Sequence, residues 1–460
     1  MKQKKPLLGV KIVPGLEEEM TPWAGASLLI ELGRKCGMVE TAEQVLFHKK
    51  SSKGLTSGQT VESFILLSAL GGDNIDDMEH LRGDLALATM LGYTPPAAET
   101  ARQWLDKFHD EGLMVGRPLQ GSFLPPESQS LGGLKEVNRK VVWAYVAAMN
   151  PGLELTIDVD AHLVETNKAN ALYCYDGYKA FQPIVAGWAE TGLVLVDEFR
   201  EGNVPASKGI KRIVDEAYQM APGRKWKVRI RSDSAAYEQD NLGHWHHEGW
   251  ECAVSADMTP QLRQEIESLP EEAWKMWKEE KNGVIREWAE VVYVPSKKYE
   301  EKEGQPYRYL AIRIRPQQGE LFEDGSRFRH FAVVTNNWDM EGQALLEWHR
   351  GKAGTIEHIH HVLNNELAAG VYPSAKHGAD AAWLRLQVIT YNLLQLLKAG
   401  VLPPEYAKAR PKRLRFAIFT QFGRIIRHAG QVLLRIASEA WGTIIKLGQR
   451  RIGEMVFNTS

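Results

Sequence analysis

Cysteine is scarce. The three residues Cys36, Cys174 and Cys252 are odd in number and far apart in a chain of 460. That argues against a disulfide framework and against a cysteine-rich zinc site, and fits a reducing cytoplasm. Long apolar runs are missing too: Phe64-Ile65-Leu66-Leu67 is interrupted within a few residues, so no membrane span is expected. The basic start Met1-Lys2-Gln3-Lys4-Lys5-Pro6 leads into no long apolar stretch with a small-residue cleavage site, so no export signal is expected. There is no low-complexity tract and no short-period repeat. There is no Walker phosphate loop and no Gly-x-Gly-x-x-Gly after a strand, which leaves nucleoside triphosphate hydrolysis and dinucleotide redox chemistry without support. What is present is the balance of a globular protein, 44% hydrophobic and 25% charged. The length calls for two to four domains or subdomains.

The formal net charge of −2 hides an asymmetry. Residues 401–460 hold eleven Lys and Arg against Glu405, Glu439 and Glu454, a net +8, so the remaining 400 residues carry −10. A basic terminal segment on an acidic body suggests a polyanion partner, nucleic acid first, or else a helical tail with a solvated basic face. Phe416, Phe419, Ile425, Ile426, Val432, Leu433 and Ile436 recur at helical spacing, so this tail is expected to be helical and to pack as well as bind.

Residues 1–140 read as mostly helical. One helix carries Phe64, Leu67 and Leu70 and stops at Gly71-Gly72, a second covers 76–90, and a third covers 99–109 beyond Pro95-Pro96. Such a pair of helices is either a DNA-binding helix-turn-helix or a plain helical hairpin. After Gly152, Leu153, Leu155, Ile157 and Val159 alternate with polar residues, the period of a strand. Tyr173 to Lys179 reads as two strands around the Asp176-Gly177 turn, and Leu193 to Val196 as another. A crossover helix at 208–220, strands at 226–230 and 251–255 and a helix between them complete a mixed α/β sheet. Residues 258–330 interrupt the plan with an expected helix at 261–278 and strands at 290–295 and 307–315. The run 331–335 returns to the sheet, and a long helix is expected over 340–365.

Three carboxylates stand out. Asp158 and Asp160 lie two apart on one face of a good strand, although Asp is a poor strand former. A cation beside them would relieve their repulsion; the alternative is a solvated face. Asp233 follows a strand and precedes a helix, where α/β sheets bind ligands, and where Ser-Asp-Ser is equally suited to cap a helix. Glu357 borders the stripe Ile356, Ile359, Leu363 and Leu367, with Arg350 and Lys352 upstream in reach of phosphates. Gly351 and Gly354 weaken that helix or admit a close neighbour. Oxygen ligands from two strands and a helix suit hard cations such as Mg²⁺ or Mn²⁺, and a pair of them suits phosphodiester chemistry. His358, His360 and His361 lack the His-Glu-x-x-His order and read as polar residues on a helix that meets DNA.

These residues resemble the DDE transposases of bacterial insertion sequences, most closely the family numbered 1380. The match rests on Thr156-Ile157-Asp158-Val159-Asp160-Ala161, Phe199-Arg200-Glu201-Gly202-Asn203 and Arg231-Ser232-Asp233-Ser234. It rests also on His349-Arg350-Gly351-Lys352-Ala353-Gly354-Thr355-Ile356-Glu357-His358, Gly378-Ala379-Asp380-Ala381-Ala382-Trp383-Leu384-Arg385-Leu386 and Tyr391-Asn392-Leu393, in order over roughly residues 50–400. The resemblance implies a ribonuclease-H-like mixed sheet flanked by helices, a β-rich insertion before the Glu, two divalent ions (Mg²⁺ or Mn²⁺) and cut-and-paste DNA transposition. It places the catalytic, metal-holding acids at Asp160, Asp233 and Glu357. The place two beyond the first acid, Thr in the family, holds His162, which keeps Asp158 open as an alternative first ligand. The Tyr-Arg-Glu-Lys signature of a related family is not matched: Arg350, Ala353 and Asn364 occupy its other places.

The expected organisation is a helical DNA-binding region at 1–140, a ribonuclease-H-like core at 141–257 and 331–400, an insertion subdomain at 258–330 and a basic helical tail at 401–460. Arg200, Arg350, Lys352, His358, Arg413 and Arg415 are the expected DNA contacts. Expected partners are double-stranded DNA, both terminal inverted repeats and target, and a second copy of the chain, in the cytoplasm at the nucleoid. Two readings stay open beside this one: a metal-dependent nuclease of the same fold without strand transfer, and a non-catalytic DNA-binding protein.

Overall fold

The alternating run after Gly152 forms the central strand, β1 (Glu154–Ala161). The computed structural model describes residues 19–47, 53–118, 120–223, 225–281, 283–294, 307–316 and 321–457; the basic start at residues 1–6 and Pro295, the end of an expected strand, lie outside the described residues. Around β1 the sheet is built from β2 (Ile184–Trp188), β3 (Leu193–Glu198), β4 (Lys227–Ser232), β5 (Glu251–Ser255), β6 (Lys275–Glu279), β7 (Ile285–Val291), β8 (Arg308–Arg315) and β9 (Arg329–Thr335). Among the described residues its order is β6-β7-β8-β9-β5-β4-β1-β2-β3. Strands β1, β2 and β3 are antiparallel neighbours, whereas β4 lies parallel to β1, and β5 parallel to β4.

Three expectations change here. The hairpin around Gly177 exists, but its strands Leu172–Tyr173 and Lys179–Phe181 pair in a small separate sheet with Val164–Glu165. The neighbour of β1 is β2 instead; all five of its residues are buried, so it carries no period-two signal. The expected helix at 261–278 stops at Glu267, and Lys275–Glu279 is strand β6; Pro270 between them cannot continue a helix. Finally, the strands of the insertion lie in the main sheet. Because β9 pairs antiparallel with β5 (Val334 opposite Val254), strands β6, β7 and β8 simply lengthen the main sheet.

The N-terminal region is helical as expected: α1 (Ser27–Lys35), α2 (Met38–Val45), α3 (Ser57–Leu70), α4 (Met78–Gly83), α5 (Leu85–Leu91), α6 (Ala98–Asp106) and α7 (Gln129–Met149). Thr56 and Gln59 cap the start of α3 reciprocally, and Gly71 ends it in the left-handed region at φ 103°. The helix expected over 76–90 is two, because Asp84 caps the second through Leu87 N at 2.7 Å. The boundary placed at residue 140 falls inside α7. Helices α8 (Ile210–Met220) and α9 (Gln239–His247) cover one face of the sheet, where Ile213 and Val214 join Leu155, Ile157 and Val159 in one core. After α10 (Pro260–Glu267), the long helices α11 (Gly342–Glu366) and α12 (His377–Leu396) lie on the other face. There Ile356, Ile359 and Trp383 share a core with Phe64, Leu105 and Leu134, so the N-terminal helices pack with α11 and α12 as one layer.

The tail is not wholly helical. Residues 423–436 form a hairpin, β10 (Gly423–His428) and β11 (Gln431–Ile436), turned by Ala429 and Gly430 with φ 49° and 77°. Two left-handed central residues are the signature of a tight hairpin turn, and the β-branched content of Ile425, Ile426, Val432 and Ile436 favours strand over helix. A helix, α13 (Glu439–Glu454), follows and packs on α1, where a Cβ at Gly448 would lie 2.8 Å from Leu28. Among the described residues no helix is long and apolar enough to cross a membrane.

One buried acid makes folding sensitive to pH. Asp380, at the start of α12, is 1% exposed. Burial raises its carboxyl to about 7, against the opposing pull of Lys168, whose Nζ lies 3.9 Å away. A carboxyl raised on folding favours the folded state while protonated. Its contribution is therefore full below the ordinary carboxylate range and is lost as pH climbs to about 7. Asp380→Asn is expected to flatten this slope and to add on the order of 2 kcal/mol at pH 8. Urea denaturation at pH 5 and pH 8 checks it; the same slope in wild type and variant would remove Asp380 as its source.

Candidate active site

The site begins with strand register. On the neighbouring parallel strands β1 and β4, Val159 lies opposite Ser232. The next residue after each of these is an acid, Asp160 and Asp233, so both carboxylates emerge at the same end of the sheet. Asp233 caps a short 3-10 turn, accepting from Ala235 N at 3.2 Å through Oδ1, so its capping role is real and occupies that oxygen.

Helix α11 crosses this end of the sheet and is pinned to it. Asp158, 1% exposed, receives two hydrogen bonds from Arg231 at 2.7 and 2.8 Å and one from the Thr355 hydroxyl. Arg231 also donates to the Trp348 carbonyl at 2.6 Å, which ties β4 to α11. Gly351 gives it room, since a Cβ there would lie 2.7 Å from Arg231 Nη1, whereas Gly354 faces open space. His349 Nε2 donates to the Ser232 carbonyl at 3.0 Å. Lower on the helix, Ile359 and Ile356 approach Gly187 of β2, where a Cβ would lie 2.8 Å from Ile359 Cδ1. The two strand acids thus have different surroundings: Asp158 is saturated by a buried guanidinium, while Asp160 is only half-buried.

Asp160 sits in a setting made for positive charge. Lys352 Nζ donates to its Oδ1 at 3.2 Å and approaches the Val159 carbonyl at 3.5 Å. His360 Nε2 lies 3.7 Å from its Oδ2. Burial, then the neighbouring His162 and Lys352, push the His360 imidazole down to about 3, so this contact is between a carboxylate and a neutral ring. The Glu357 carboxylate is exposed and has no hydrogen-bond or ion-pair partner among the described residues. Ala353, one turn before it on the same side of α11, lines a cleft of about 470 Å³ together with Asp233 and Lys352. The far wall of that cleft is the sheet extension, with Trp277, Arg286 and Phe331.

Carboxylate oxygens are the donors that a hard divalent cation takes, and at Asp160 an ammonium rests on one of them. No three His, Cys, Asp or Glu side chains are gathered closely enough to hold a metal ion among the described residues.

The expected DNA contacts fall into two groups. Arg350, His358 and Arg413 are exposed, and Lys352 is half-buried at the cleft. Arg200 is a correction: it is 0% exposed and bound to Glu198 at 2.7 Å, so no phosphate can reach it. Arg415 is also committed, donating to the carbonyls of Ala69 and Ser68 at 2.9 Å and to that of Glu366, which clamps the tail to the end of α3. Sequence reasoning gave no role to Arg231 or Thr355, and read His360 only as a polar residue on a helix that meets DNA, whereas it is buried. The signal for Arg231 was its place beside Asp158 on a neighbouring strand, legible only once β1 and β4 are known to be parallel and in register.

The sequence family described as transposase DDE domain group 1 matches residues 17–452 of this chain. No curated protein shows a significant match to it. A solved structure, the piggyBac transposase synaptic complex with hairpin DNA, aligns over 85% of this chain and 79% of that chain at 8% identity and a TM-score of 0.43. With nearly its whole length matched by the family, this chain belongs to the DDE transposases.

Proposed function

We propose that the chain is an insertion-sequence transposase of the kind numbered 1380, which binds the terminal inverted repeats of its element and moves it by cut-and-paste. The observation that carries this reading is that Asp160 and Asp233 each directly follow a register-paired residue of two parallel strands, with Lys352 of the overlying helix reaching Asp160. The strand order, three antiparallel strands followed by two parallel ones, supports a ribonuclease-H-like core at 154–255. Asp160, Asp233 and Glu357 would hold two Mg²⁺ or Mn²⁺ ions, with Asp160 rather than Asp158 as the first ligand, because Asp158 already spends both oxygens on Arg231 and Thr355. The ions, when bound, supply an activated attacking oxygen and charge stabilisation on the leaving oxygen of a phosphodiester.

The chain's own residues do the rest. Arg350 and Lys352, at the mouth of the cleft, hold phosphates, and Arg231 fixes α11 so that the acids keep their spacing. Water opens one strand at the transposon end, and the freed 3′-hydroxyl then displaces a second phosphodiester in line. Two ends are processed together by a dimer, with exposed Arg413 and the basic tail on the flanking DNA.

A strand-transfer assay with precut transposon ends, Mg²⁺ and target plasmid tests this. Joined end–target products are expected. Shortened ends without joining would mark a nuclease, and DNA that is bound but chemically unchanged would mark a binding protein.

A further inference from the structure

We propose that His360 is a nitrogen ligand of the divalent ion at Asp160, which makes this end of the site a mixed oxygen–nitrogen donor set. The inference rests on the reading that Asp160 binds metal, and goes beyond it in assigning a ligand outside the three acids.

The two side chains are delivered by one helix. Lys352 and His360 are eight residues apart on α11, and they reach opposite oxygens of the same carboxylate, 3.2 Å to Oδ1 and 3.7 Å to Oδ2. The longer distance is outside hydrogen-bond range. His360 is 5% exposed, and its Nε2 is buried with no hydrogen-bond partner. A buried ring nitrogen without a partner is unusual in a folded protein, and this one faces a carboxylate oxygen across a gap. The ring is held by packing: it stacks on His162, with centroids 5.3 Å apart, and it follows Ile356 and Ile359, which seat α11 on Gly187. Lys352 occupies the other carboxylate oxygen and leaves the Oδ2 side open. An imidazole nitrogen 3.7 Å from a carboxylate oxygen suits Mn²⁺ or Co²⁺ better than Mg²⁺, which strongly prefers oxygen. The other imidazoles nearby, His162 in space and His358 and His361 on α11, are exposed.

The test is Mn²⁺ titration of the full chain, followed by pulsed electron paramagnetic resonance of the bound ion. Wild type is expected to show nitrogen modulation of the echo. His360→Ala is expected to abolish it and to weaken Mn²⁺ binding by about 10–100-fold. His360→Asp, which restores an oxygen donor, should lack the modulation but recover most of the affinity. Its circular dichroism and melting show whether the fold is kept. His162→Ala should retain the modulation. If Mn²⁺ binds and is lost in Asp160→Asn, yet wild type shows no nitrogen coupling, the His360 assignment is overturned and the Asp160 reading stands. Coupling that survives in both His360 variants overturns it equally. Mn²⁺ binding indifferent to Asp160→Asn overturns the acid assignment, and His360 with it.

Discussion

Asp233→Asn and Glu357→Gln are expected to abolish strand cleavage while binding to the transposon ends survives. Each change is nearly isosteric and removes one negative charge from the proposed metal site. Metal-assisted stabilisation of the transition state is worth several kcal/mol, and each ~1.4 kcal/mol is tenfold in rate, so the loss should be about 10³-fold or more. Asp233 keeps a structural task as well, since its Oδ1 accepts from Ala235 N. An Asn side-chain oxygen can accept the same bond, so Asp233→Asn should fold normally. Asp158→Asn offers the informative contrast. It weakens the Arg231 strut between β1, β4 and α11, so it should lower stability as well as activity. Supercoiled-plasmid excision, gel-shift binding and thermal melting on the same preparations separate these outcomes. Cleavage by Asp233→Asn within tenfold of wild type would remove Asp233 from the catalytic set.

Arg385→Met should cost about 3–5 kcal/mol of folding stability, because it strands a buried carboxylate. Arg385 is 5% exposed on α12, and its guanidinium donates to Asp197 Oδ1 and Oδ2 at 3.2 and 3.1 Å, to the Asp197 carbonyl at 2.9 Å, to Glu127 at 2.7 Å and to the Leu131 carbonyl at 2.8 Å. One side chain thereby joins the edge strand β3, the start of α7 and α12. Burial raises the Asp197 carboxyl even with Arg385 beside it. Without the guanidinium only the more distant Lys135 opposes that burial. The sign follows: a carboxyl raised on folding is tolerated when protonated and costly when ionised, so the defect should be smaller in acid and grow as pH rises. Urea denaturation of Arg385→Met across pH 5 to 8 reads this directly. Arg385→Met combined with Asp197→Leu should recover most of the loss, since a buried ion pair replaced at both ends is often neutral. A double variant no more stable than the single one would show that packing, not the stranded charge, is what Arg385 supplies.

Neither Arg385 nor Asp380 touches the proposed chemistry, yet both lie in the motif from Gly378 to Leu386 that carries the family resemblance. Their structural duties explain the residue types without a catalytic role. Arg200, in another of those motifs, is likewise buried against Glu198. A residue that helps to identify a family can serve its core rather than its reaction, and only burial separates the two cases.

Local pattern alone determined the alternating strand at β1, the turn at Gly177, the crossover helix α8, the long helix α11 and the three acids as candidates. These are readable because period-two and period-3.6 patterning and turn glycines act over a few residues. Tertiary structure decided the rest. Strand β2 is buried on both faces, so it has no alternation to read, and the hairpin at 423–436 shows an apolar spacing that suits either a helix or a strand. The sheet extension by β6, β7 and β8 depends on which edge β9 finds, a long-range pairing that no local segment encodes. The same holds within the site. Asp158 and Asp160 have the same local pattern, and they part only when Arg231 arrives from β4 to neutralise one, while Lys352 and His360 arrive from α11 to face the other.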